Sequence, residues 1–248
     1  MWITGHHPVE EALSSRLQRP RKVLLSDSVP ENVKSSIAAM ADAAGIPCLT
    51  CRKEEWHRRT GEREGGGVAA ELGEFRYAEF SRWLGSLPPR AVAFLLDGIT
   101  DPHNLGTILR NARAFGVSGV VTPKDRSCPV TAAVFRASAG AAAHVHVVQV
   151  TNLARAMESL KESGFWIYAA VGDGETDMAA FTPADRTGFV LGGEDAGIRR
   201  LVREKCDGSV RIPMESGADS LNVGVASGIL AFCLHTGRKS QDHNSKLR

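Results

Sequence analysis

Apolar residues in the second, longer part of the chain form short continuous runs that alternate with stretches of helical repeat. The run AVAFLLDG at residues 91–98 has no polar position before Asp97, which is typical of a strand buried on both faces of a parallel sheet. The stretch after it has the i, i+3, i+4, i+7 spacing of one apolar helix face, at Leu105, Ile108, Leu109 and Ala112. Because this alternation continues to residue 238, the pattern predicts an α/β domain built around a parallel sheet.

The first 80 residues alternate helix and strand signals on a smaller scale. Helices are predicted over residues 6–17 and 32–45, the second closed by Gly45. Strands are predicted over residues 22–27 and 46–51. These short elements indicate a separate, small α/β core.

Two changes of composition set the predicted boundaries. Adjacent prolines interrupt any helix between residues 81 and 90, so this stretch is predicted to be a linker. Residues 239–248 are polar and are predicted to form a disordered tail. The sequence thus predicts a small domain over residues 1–80 and a larger one over residues 91–238.

Composition places the 248-residue chain among ordinary globular proteins, with 43% hydrophobic and 23% charged residues. A net charge of +2 is too small to demand a nucleic-acid partner, but it does not exclude one, because charged patches matter more than sums. No stretch approaches the roughly 20 apolar residues of a membrane span. The start of the chain lacks a basic region followed by an apolar one, so no secretion signal is expected.

Five cysteines are scattered along the chain, an odd number that is typical of reduced thiols in a cytoplasm, the expected location. Cys48 and Cys51 form a C-x-x-C pair, but no second pair or histidine cluster accompanies it. Chance is the preferred explanation of this pair, and no metal site is expected.

Polar and glycine residues are concentrated at three turns that follow predicted strands, where ligands bind in parallel sheets. In the first turn, Asp101 and Pro102 are explained as the cap and first residue of a helix. The helix itself does not require the other polar residues, His103, Asn104 and Arg110. They are therefore candidate binding groups.

In the second turn, two adjacent glycines, Gly192 and Gly193, precede Glu194. Paired glycines let the backbone approach a ligand, and a helix N-terminus after them would offer free N–H groups. The pattern is not the G-x-G-x-x-G of dinucleotide-binding proteins, so it is a weak signal by itself.

The third turn leads into the last apolar helix. Ser220 is the predicted N-cap of that helix, whereas Asn222 has no comparable structural role. Small residues at the start of the helix, including Gly224 and Gly228, allow close packing by either the same chain or a second subunit.

The order and spacing of these turns agree with a known enzyme family. They resemble the three motifs of the SpoU family of RNA ribose 2′-O-methyltransferases, in the SPOUT superfamily: LDGITDPHNLGTILRNARAFG at residues 96–116, LGGEDAGI at 191–198 and IPMESGADSLNVGVASGIL at 212–230. Shorter stretches resemble the bacterial 23S rRNA guanosine 2′-O-methyltransferases of that family: GHHPVEEAL, PKDRS, ASAGAA and VTNLARAM. The resemblance covers nearly the whole chain and is tightest over residues 95–232.

The resemblance implies a deep trefoil knot in the larger domain, although connection rules alone argue against knots. It also implies a homodimer that binds S-adenosylmethionine in the knot, and a first domain that binds RNA and resembles ribosomal protein L30e. Neither DNA nor a membrane is an expected partner. The family's His-Gln-Gly near the end of the first domain is replaced by a Glu-Gly-Gly-Gly stretch at residues 64–67, so RNA contacts of that His and Gln are not carried over.

The same resemblance assigns site residues position by position. It implies that the methyl donor is held by residues of the second and third turns, namely Gly192, Gly193, Ile212, Met214, Leu221 and Asn222. It implies catalytic roles, without a metal, for Asn104, Arg110, Glu194, Ser220 and Asn222.

Arg110 matches the family's essential arginine. Because a guanidinium keeps its proton throughout the physiological pH range, we expect Arg110 to bind the phosphate beside the target ribose and to stabilise the developing alkoxide rather than to act as a base. Glu194 is expected to hold Arg110 by an ion pair. Asn104, Ser220 and Asn222 are expected to fix the ribose and shape the pocket.

Two other classes are compatible with an alternating α/β chain. A nucleotide-binding hydrolase or dehydrogenase would carry a phosphate-binding G-x-x-x-x-G-K-[ST] loop or G-x-G-x-x-G, and neither occurs. A non-catalytic RNA-binding or ribosome-assembly protein would have lost motif residues, and every catalytic candidate is present. A guanosine of 23S rRNA is the first candidate substrate, and another rRNA ribose or a tRNA ribose is the alternative.

Overall fold

The structure, a computed structural model, describes residues 1–62, 66–194, 196–215 and 220–246, with residues 238–246 described by their backbone alone. Glu64 and Gly65, at the departure from the family motif, lie outside the described residues. The strands, in chain order, are β1 (Trp2–Thr4), β2 (Lys22–Ser26), β3 (Cys48–Cys51), β4 (Val68–Glu71), β5 (Ala91–Asp97), β6 (Gly119–Pro123), β7 (Val147–Val150), β8 (Trp166–Ala170), β9 (Thr176–Asp177), β10 (Arg186–Gly192) and β11 (Gly208–Arg211). The helices are α1 (His6–Ser14), α2 (Glu31–Ala43), α3 (Lys53–Thr60), α4 (Phe80–Gly85), α5 (Pro102–Ala114), α6 (Ala132–Ala137), α7 (Leu153–Glu162), α8 (Arg200–Arg203) and α9 (Val223–Lys246), with a short 3-10 turn at Ala141–Ala143.

The first of two compact units comprises Met1–Arg76 and Val130–His144. Its sheet has the order β1-β4-β2-β3, with β4 antiparallel to both neighbours and β2 parallel to β3. The indole of Trp56 is buried against Leu24 and donates its N–H to the Leu24 carbonyl at 3.2 Å. This unit is a small α/β layer structure, and its likeness to ribosomal protein L30e stays a prediction.

The second unit comprises Tyr77–Pro129 and Val145–Arg248, and its sheet has seven strands in the order β7-β6-β5-β10-β8-β11-β9. All of its strand pairings are parallel, so the predicted α/β architecture around a large parallel sheet is confirmed. Every residue of β5 is buried, as its continuous apolar run predicted. Since chain order reverses where β5 meets β10, the loops after these two strands border the crevice in which such sheets bind ligands.

Helix α5 forms as its sequence predicted. The Asp101 carboxylate accepts the His103 backbone N–H at 3.1 Å, and Pro102 occupies the first helical position. The four apolar residues at helical spacing are buried, Leu105, Ile108, Leu109 and Ala112. The opposite side, with His103 and Arg110, is exposed.

The structure differs from the predicted boundaries in three places. Residues 130–144, predicted within the larger domain, belong to the first unit. The stretch at residues 81–90 is not a plain linker, because it contains most of α4, and Trp83 of that helix is buried in the core of the second unit. The indole N–H of Trp83 donates to the Ser118 carbonyl at 3.1 Å. The polar tail predicted after residue 238 begins inside α9, whose backbone stays helical to Lys246.

Candidate active site

Three side chains, one from each of the three turns, meet at the carboxyl ends of β5 and β10. Asn104, only 7% exposed, donates its amide N–H to Glu194 Oε1 at 2.9 Å. Asn222 donates to Asn104 Oδ1 and to Glu194 Oε1, each at 2.9 Å. The structure therefore brings together three of the predicted catalytic residues in one hydrogen-bond network, which we call the asparagine–glutamate network.

Asn222 also caps helix α9. Its Oδ1 accepts the backbone N–H of Gly224 at 2.9 Å and of Val225 at 3.3 Å, the contacts of an N-cap. The prediction that Ser220 caps this helix was therefore wrong, because α9 begins at Val223. Asn222 uses its oxygen for the helix and its amide N–H₂ for the network, so one side chain ties the start of α9 to the site.

An ion pair between a buried carboxylate and a partly exposed arginine, which our sequence analysis did not identify, fixes the loop that carries Glu194. The side chain of Asp97 is fully buried at the end of β5, and its Oδ1 lies 2.6 Å from Nη2 and 2.7 Å from Nε of Arg199. The Arg199 backbone N–H donates to Asp97 Oδ2 at 2.8 Å. The signal was present in the sequence as a lone carboxylate at the end of an otherwise apolar strand, since a buried charge needs a partner.

The paired glycines approach the chain itself. A Cβ on Gly192 would lie 2.3 Å from the carbonyl carbon of Gly197, and one on Gly193 would lie 2.3 Å from the carbonyl oxygen of Gly98. The Gly193 N–H is already bonded to the Asp97 carbonyl at 2.9 Å. Glycine is required at both positions because the loop after β10 crosses other backbone at close range.

Two pockets lie at this edge of the sheet. The first, which we call the polar pocket, has a volume of about 290 Å³ and is lined by Asp97, Gly98, Ile99, Thr100, Asp101, Asn104, Pro123, Asp125, Arg126, Gly193, Glu194, Ala196, Gly197 and Arg199. The second, which we call the apolar pocket, has a volume of about 170 Å³ and is lined by Ala170, Val171, Gly172, Val210, Ile212, Met214, Ser220, Leu221, Ala226 and Leu230. The predicted site residues therefore divide between two neighbouring environments.

The apolar pocket contains three of the predicted donor-binding residues, Ile212, Met214 and Leu221, together with Ser220. Met214 and Leu221 are 36% and 37% exposed, a large fraction for apolar side chains in a recess. Gly193 lines the polar pocket instead, and Gly192 lines neither. Residues 216–219, which connect Met214 to Ser220, lie outside the described residues.

Arg110 stands apart from both pockets. It is exposed on α5 and makes no ion pair or hydrogen bond with any described residue. The predicted ion pair between Arg110 and Glu194 is thus absent from the described contacts, because Glu194 is engaged by the two asparagines. Arg110 follows Asn104 by six residues, which places it about 9 Å further along the helix and roughly 240° around it.

The small residues of α9 pack against α5 of the same chain. A Cβ on Gly224 would lie 2.8 Å from the Thr107 side chain, and Asn111 donates to the Gly224 carbonyl at 2.8 Å. Of the two explanations that the sequence left open, the structure shows the intramolecular one. The other face of α9 exposes Val225 and Phe232 by about half.

The described side chains show neither a cysteine whose thiol pKa is lowered nor a cluster of metal-ligating groups. Burial raises the pKa of the Cys128 thiol, with Asp101 adding to the shift, so this cysteine stays protonated at neutral pH. Burial likewise raises the pKa of Cys48 and Cys51 in the C-x-x-C pair. Within the described ranges, no group of three His, Cys, Asp or Glu side chains is placed to hold a metal ion.

Among the described helices, none combines the length and the hydropathy that a membrane-spanning helix requires.

Two family models match the chain. The model named SpoU rRNA Methylase family matches residues 91–232 of 248, more than half of the chain. The protein belongs to the SpoU rRNA methylase family. A second model, named RNA 2'-O ribose methyltransferase substrate binding, matches residues 2–78 of this SpoU family member. All three residues of the asparagine–glutamate network fall within the first match.

Individual relatives of the SpoU protein match it over nearly its full length. The 23S rRNA (guanosine-2'-O-)-methyltransferase RlmB of Xanthomonas campestris is 38% identical over 239 residues, covering 93% of this chain and 94% of the relative. The protein of the same name from Nitrosomonas europaea is 37% identical, covering 93% and 89%. A crystal structure of the SpoU methyltransferase AviRb from Streptomyces viridochromogenes, in complex with AdoMet, superposes with a TM-score of 0.81 at 21% identity, covering 97% and 91%. At that identity, the crystal structure shows a shared fold.

Proposed function

We propose that this protein transfers a methyl group from S-adenosylmethionine to the ribose 2′-oxygen of a nucleotide in RNA, with a guanosine of 23S rRNA as the first candidate. The observation that carries the proposal is the meeting of Asn104, Glu194 and Asn222, two of which line the polar pocket. Membership of the SpoU family and the names of its relatives at 37–38% identity support the same reaction.

The apolar pocket suits the methyl donor. Its apolar walls fit the faces of an adenine ring, and backbone N–H and C=O groups of the adjoining loops are available to bind the ring edge. Ile212, Met214 and Leu221 are the side chains that we assign to this role. Because two of them are partly exposed in the free protein, bound donor would cover apolar surface there.

The reaction is a single displacement. The 2′-oxygen attacks the methyl carbon, the carbon–sulfur bond breaks, the sulfonium becomes a neutral thioether, and the hydroxyl proton is released. The donor is already activated, so the protein's task is to hold the ribose oxygen in line and to stabilise its developing negative charge. We assign the positioning of the ribose to Asn104, Asn222 and Ser220, with Glu194 fixing the orientation of the two amides.

We assign the phosphate beside the target ribose to Arg110. Its exposed guanidinium has no partner among the described residues, so its donors are available for a bidentate contact with a phosphate. A cation at this position also stabilises an alkoxide that forms near it.

We further propose that the protein acts as a homodimer in the cytoplasm, that its larger unit is knotted, and that its first unit binds the RNA. Val225 and Phe232 lie seven residues apart on the exposed face of α9, and the Phe232 ring packs against Phe115 of α5 with centroids 5.9 Å apart. This apolar face is the surface that we assign to the second copy. Sedimentation of Val225→Asp and Phe232→Glu variants tests it, because an unchanged dimer in both would place the contact elsewhere.

Mapping of 2′-O-methyl groups in rRNA and tRNA, from cells with and without the gene, tests the activity. We expect one ribose to lose its methyl group without the gene and to regain it when the purified protein and S-adenosylmethionine are supplied. A site in tRNA would select the alternative substrate. RNA binding without methyl transfer at any site would favour a non-catalytic assembly protein and overturn the proposal.

A further inference from the structure

The polar pocket holds two residues that the proposed reaction does not use, Asp125 and Arg126. Both are exposed, line the pocket, and make no hydrogen bond or ion pair with any described side chain or backbone group. Asn104 and Glu194 of the network line the same pocket. A group bound beside Asp125 would therefore lie next to the residues that we assign to the ribose.

The loop that carries Asp125 and Arg126 is fixed on both sides. Before it, the Lys124 N–H donates to the Val150 carbonyl at 2.8 Å. After it, the Cys128 N–H donates to the Ile99 carbonyl at 2.7 Å, and the Ser127 hydroxyl donates back to the Pro123 carbonyl. Two free side chains on a tethered loop are typical of a preorganised binding surface.

Arg126 also has an unusual backbone. Its φ of 55° lies in the left-handed region, which side chains other than glycine rarely adopt. Strained residues of this kind are concentrated at ligand-binding sites. The strain therefore supports a binding role for the tip of this loop.

The charges of the pocket favour a neutral ligand with hydrogen-bond donors over a phosphate. Asp97 is neutralised by Arg199, and this leaves three carboxylates, those of Asp101, Asp125 and Glu194, in a lining that has one further cation, Arg126. Two of the three already accept hydrogen bonds, Asp101 from the start of α5 and Glu194 from the network. The carboxylate of Asp125 is left for the ligand.

We infer that the polar pocket receives the target base and that Asp125 reads guanine. This inference rests on the proposed function. Guanine is the base whose Watson–Crick edge carries two adjacent donors, N1–H and the 2-amino group, which match the two oxygens of one carboxylate. Adenine presents an acceptor at the N1 position and is repelled by the same carboxylate. Arg126, next along the loop, offers donors for O6 and N7.

The pocket volume agrees with a single nucleoside. At about 290 Å³, it is close to the lower limit of the range of ligand pockets, about 300–1,000 Å³. The apolar pocket is separate and remains available for the donor. Asp125 is accordingly a specificity residue for the base, and its loss should leave the affinity for S-adenosylmethionine unchanged.

The test uses an RNA fragment that contains the ribose found by mapping, with guanine, hypoxanthine or adenine as the target base. For the unmodified protein, we expect kcat/KM to fall about tenfold with hypoxanthine, which lacks the 2-amino group, and further with adenine. Asp125→Asn should lower kcat/KM for guanine by about 10–100-fold and bring the guanine-to-hypoxanthine ratio close to one. Asp125→Glu, which keeps the carboxylate, should restore part of that ratio.

Glu204→Gln is the matched control, because Glu204 is an exposed acid that lines neither pocket, and it should leave all three rates unchanged. An unchanged ratio in Asp125→Asn, or equal rates on all three bases by the unmodified protein, overturns the inference and leaves the methyltransferase intact. Loss of S-adenosylmethionine binding in Asp125→Asn would show that Asp125 has a structural role, and this result would also overturn the inference. Absence of methyl transfer to any RNA overturns the proposed function, and the inference with it.

Discussion

The polar pocket and the apolar pocket share one edge of the sheet but are held by different forces. In the polar pocket, Asp97 is fully buried against Arg199, and the amides of Asn104 and Asn222 are bonded to Glu194. In the apolar pocket, Met214 and Leu221 stay partly exposed. The first is therefore prebuilt and keeps its geometry without a ligand, whereas the second has surface left to bury when a ligand binds. Changes in the polar pocket should act on rate, and changes in the apolar pocket on donor affinity.

The largest expected effect concerns Arg110, which lines neither pocket and which we assign to the phosphate of the RNA. Replacing Arg110 by Lys keeps a cation but loses the bidentate fork, so the methylation rate should fall by about 10²–10³-fold. Arg110→Ala should lose more. The affinity for S-adenosylmethionine, measured by calorimetry, should be nearly unchanged in both variants.

The pH profile of the Arg110→Lys variant separates charge stabilisation from proton transfer. If Arg110 grips phosphate, the variant keeps the profile shape of the unmodified protein. A new ascending limb near the lysine pKa, with activity recovering as pH rises, would mean that this position accepts the proton.

The second prediction concerns the ion pair under the polar pocket. Arg199→Ala leaves the fully buried Asp97 carboxylate without its cation, which should lower the free energy of unfolding by about 3 kcal/mol. Arg203→Ala is the control, since Arg203 pairs at 2.8 Å with the exposed Asp173 and should contribute far less. Urea unfolding curves measure both. Equal losses in the two variants would show that burial of Asp97 does not set the strength of the pair.

The third prediction concerns the apolar pocket. Leu221→Ser removes an apolar wall that is 37% exposed, so S-adenosylmethionine binding should weaken about tenfold. Leu201→Ser changes a leucine that is 63% exposed and lines neither pocket, and should leave the dissociation constant unchanged. If Leu221→Ser also binds the donor with normal affinity, the donor is held elsewhere.

The smallest expected effect separates the two roles of Asn222. Asn222→Ala loses the cap of α9 and should lower the free energy of unfolding by about 1 kcal/mol. Asn222→Asp keeps a capping oxygen, so its stability should lie closer to that of the unmodified protein. It also places a carboxylate against Glu194 and removes the amide donor, so its activity should fall nonetheless. Thermal unfolding and methylation assays on the same samples distinguish these outcomes.

Features set by neighbouring residues could be predicted from the sequence. The buried run of β5 and the capped start of α5 were predicted and are confirmed, because periodicity and caps act within a few residues. Asn104, Glu194 and Asn222 were identified through their motifs, not through any pattern that indicates contact. Their meeting joins positions up to 118 apart in the chain.

Features set by distant contacts were missed. The pair of Asp97 with Arg199 spans 102 residues. Asn222 rather than Ser220 caps α9 because its amide is held by residues from two other turns, information that no local window contains. Trp83 makes helix α4 part of the second unit because its ring is buried there, although prolines soon after it suggested a linker.

The sheet order has a consequence for the chain during its synthesis. Strand β5 is made early, but its neighbour β10 follows only about 90 residues later. At a translation rate of about 5–20 residues per second, the apolar edge of β5 waits roughly 5–20 s for its partner. Until then, that edge is open to pairing with other chains. Slow synthesis or truncation before Arg186 should therefore yield aggregates. A nascent chain that has completed β5 but not β10 is the form that most needs a chaperone.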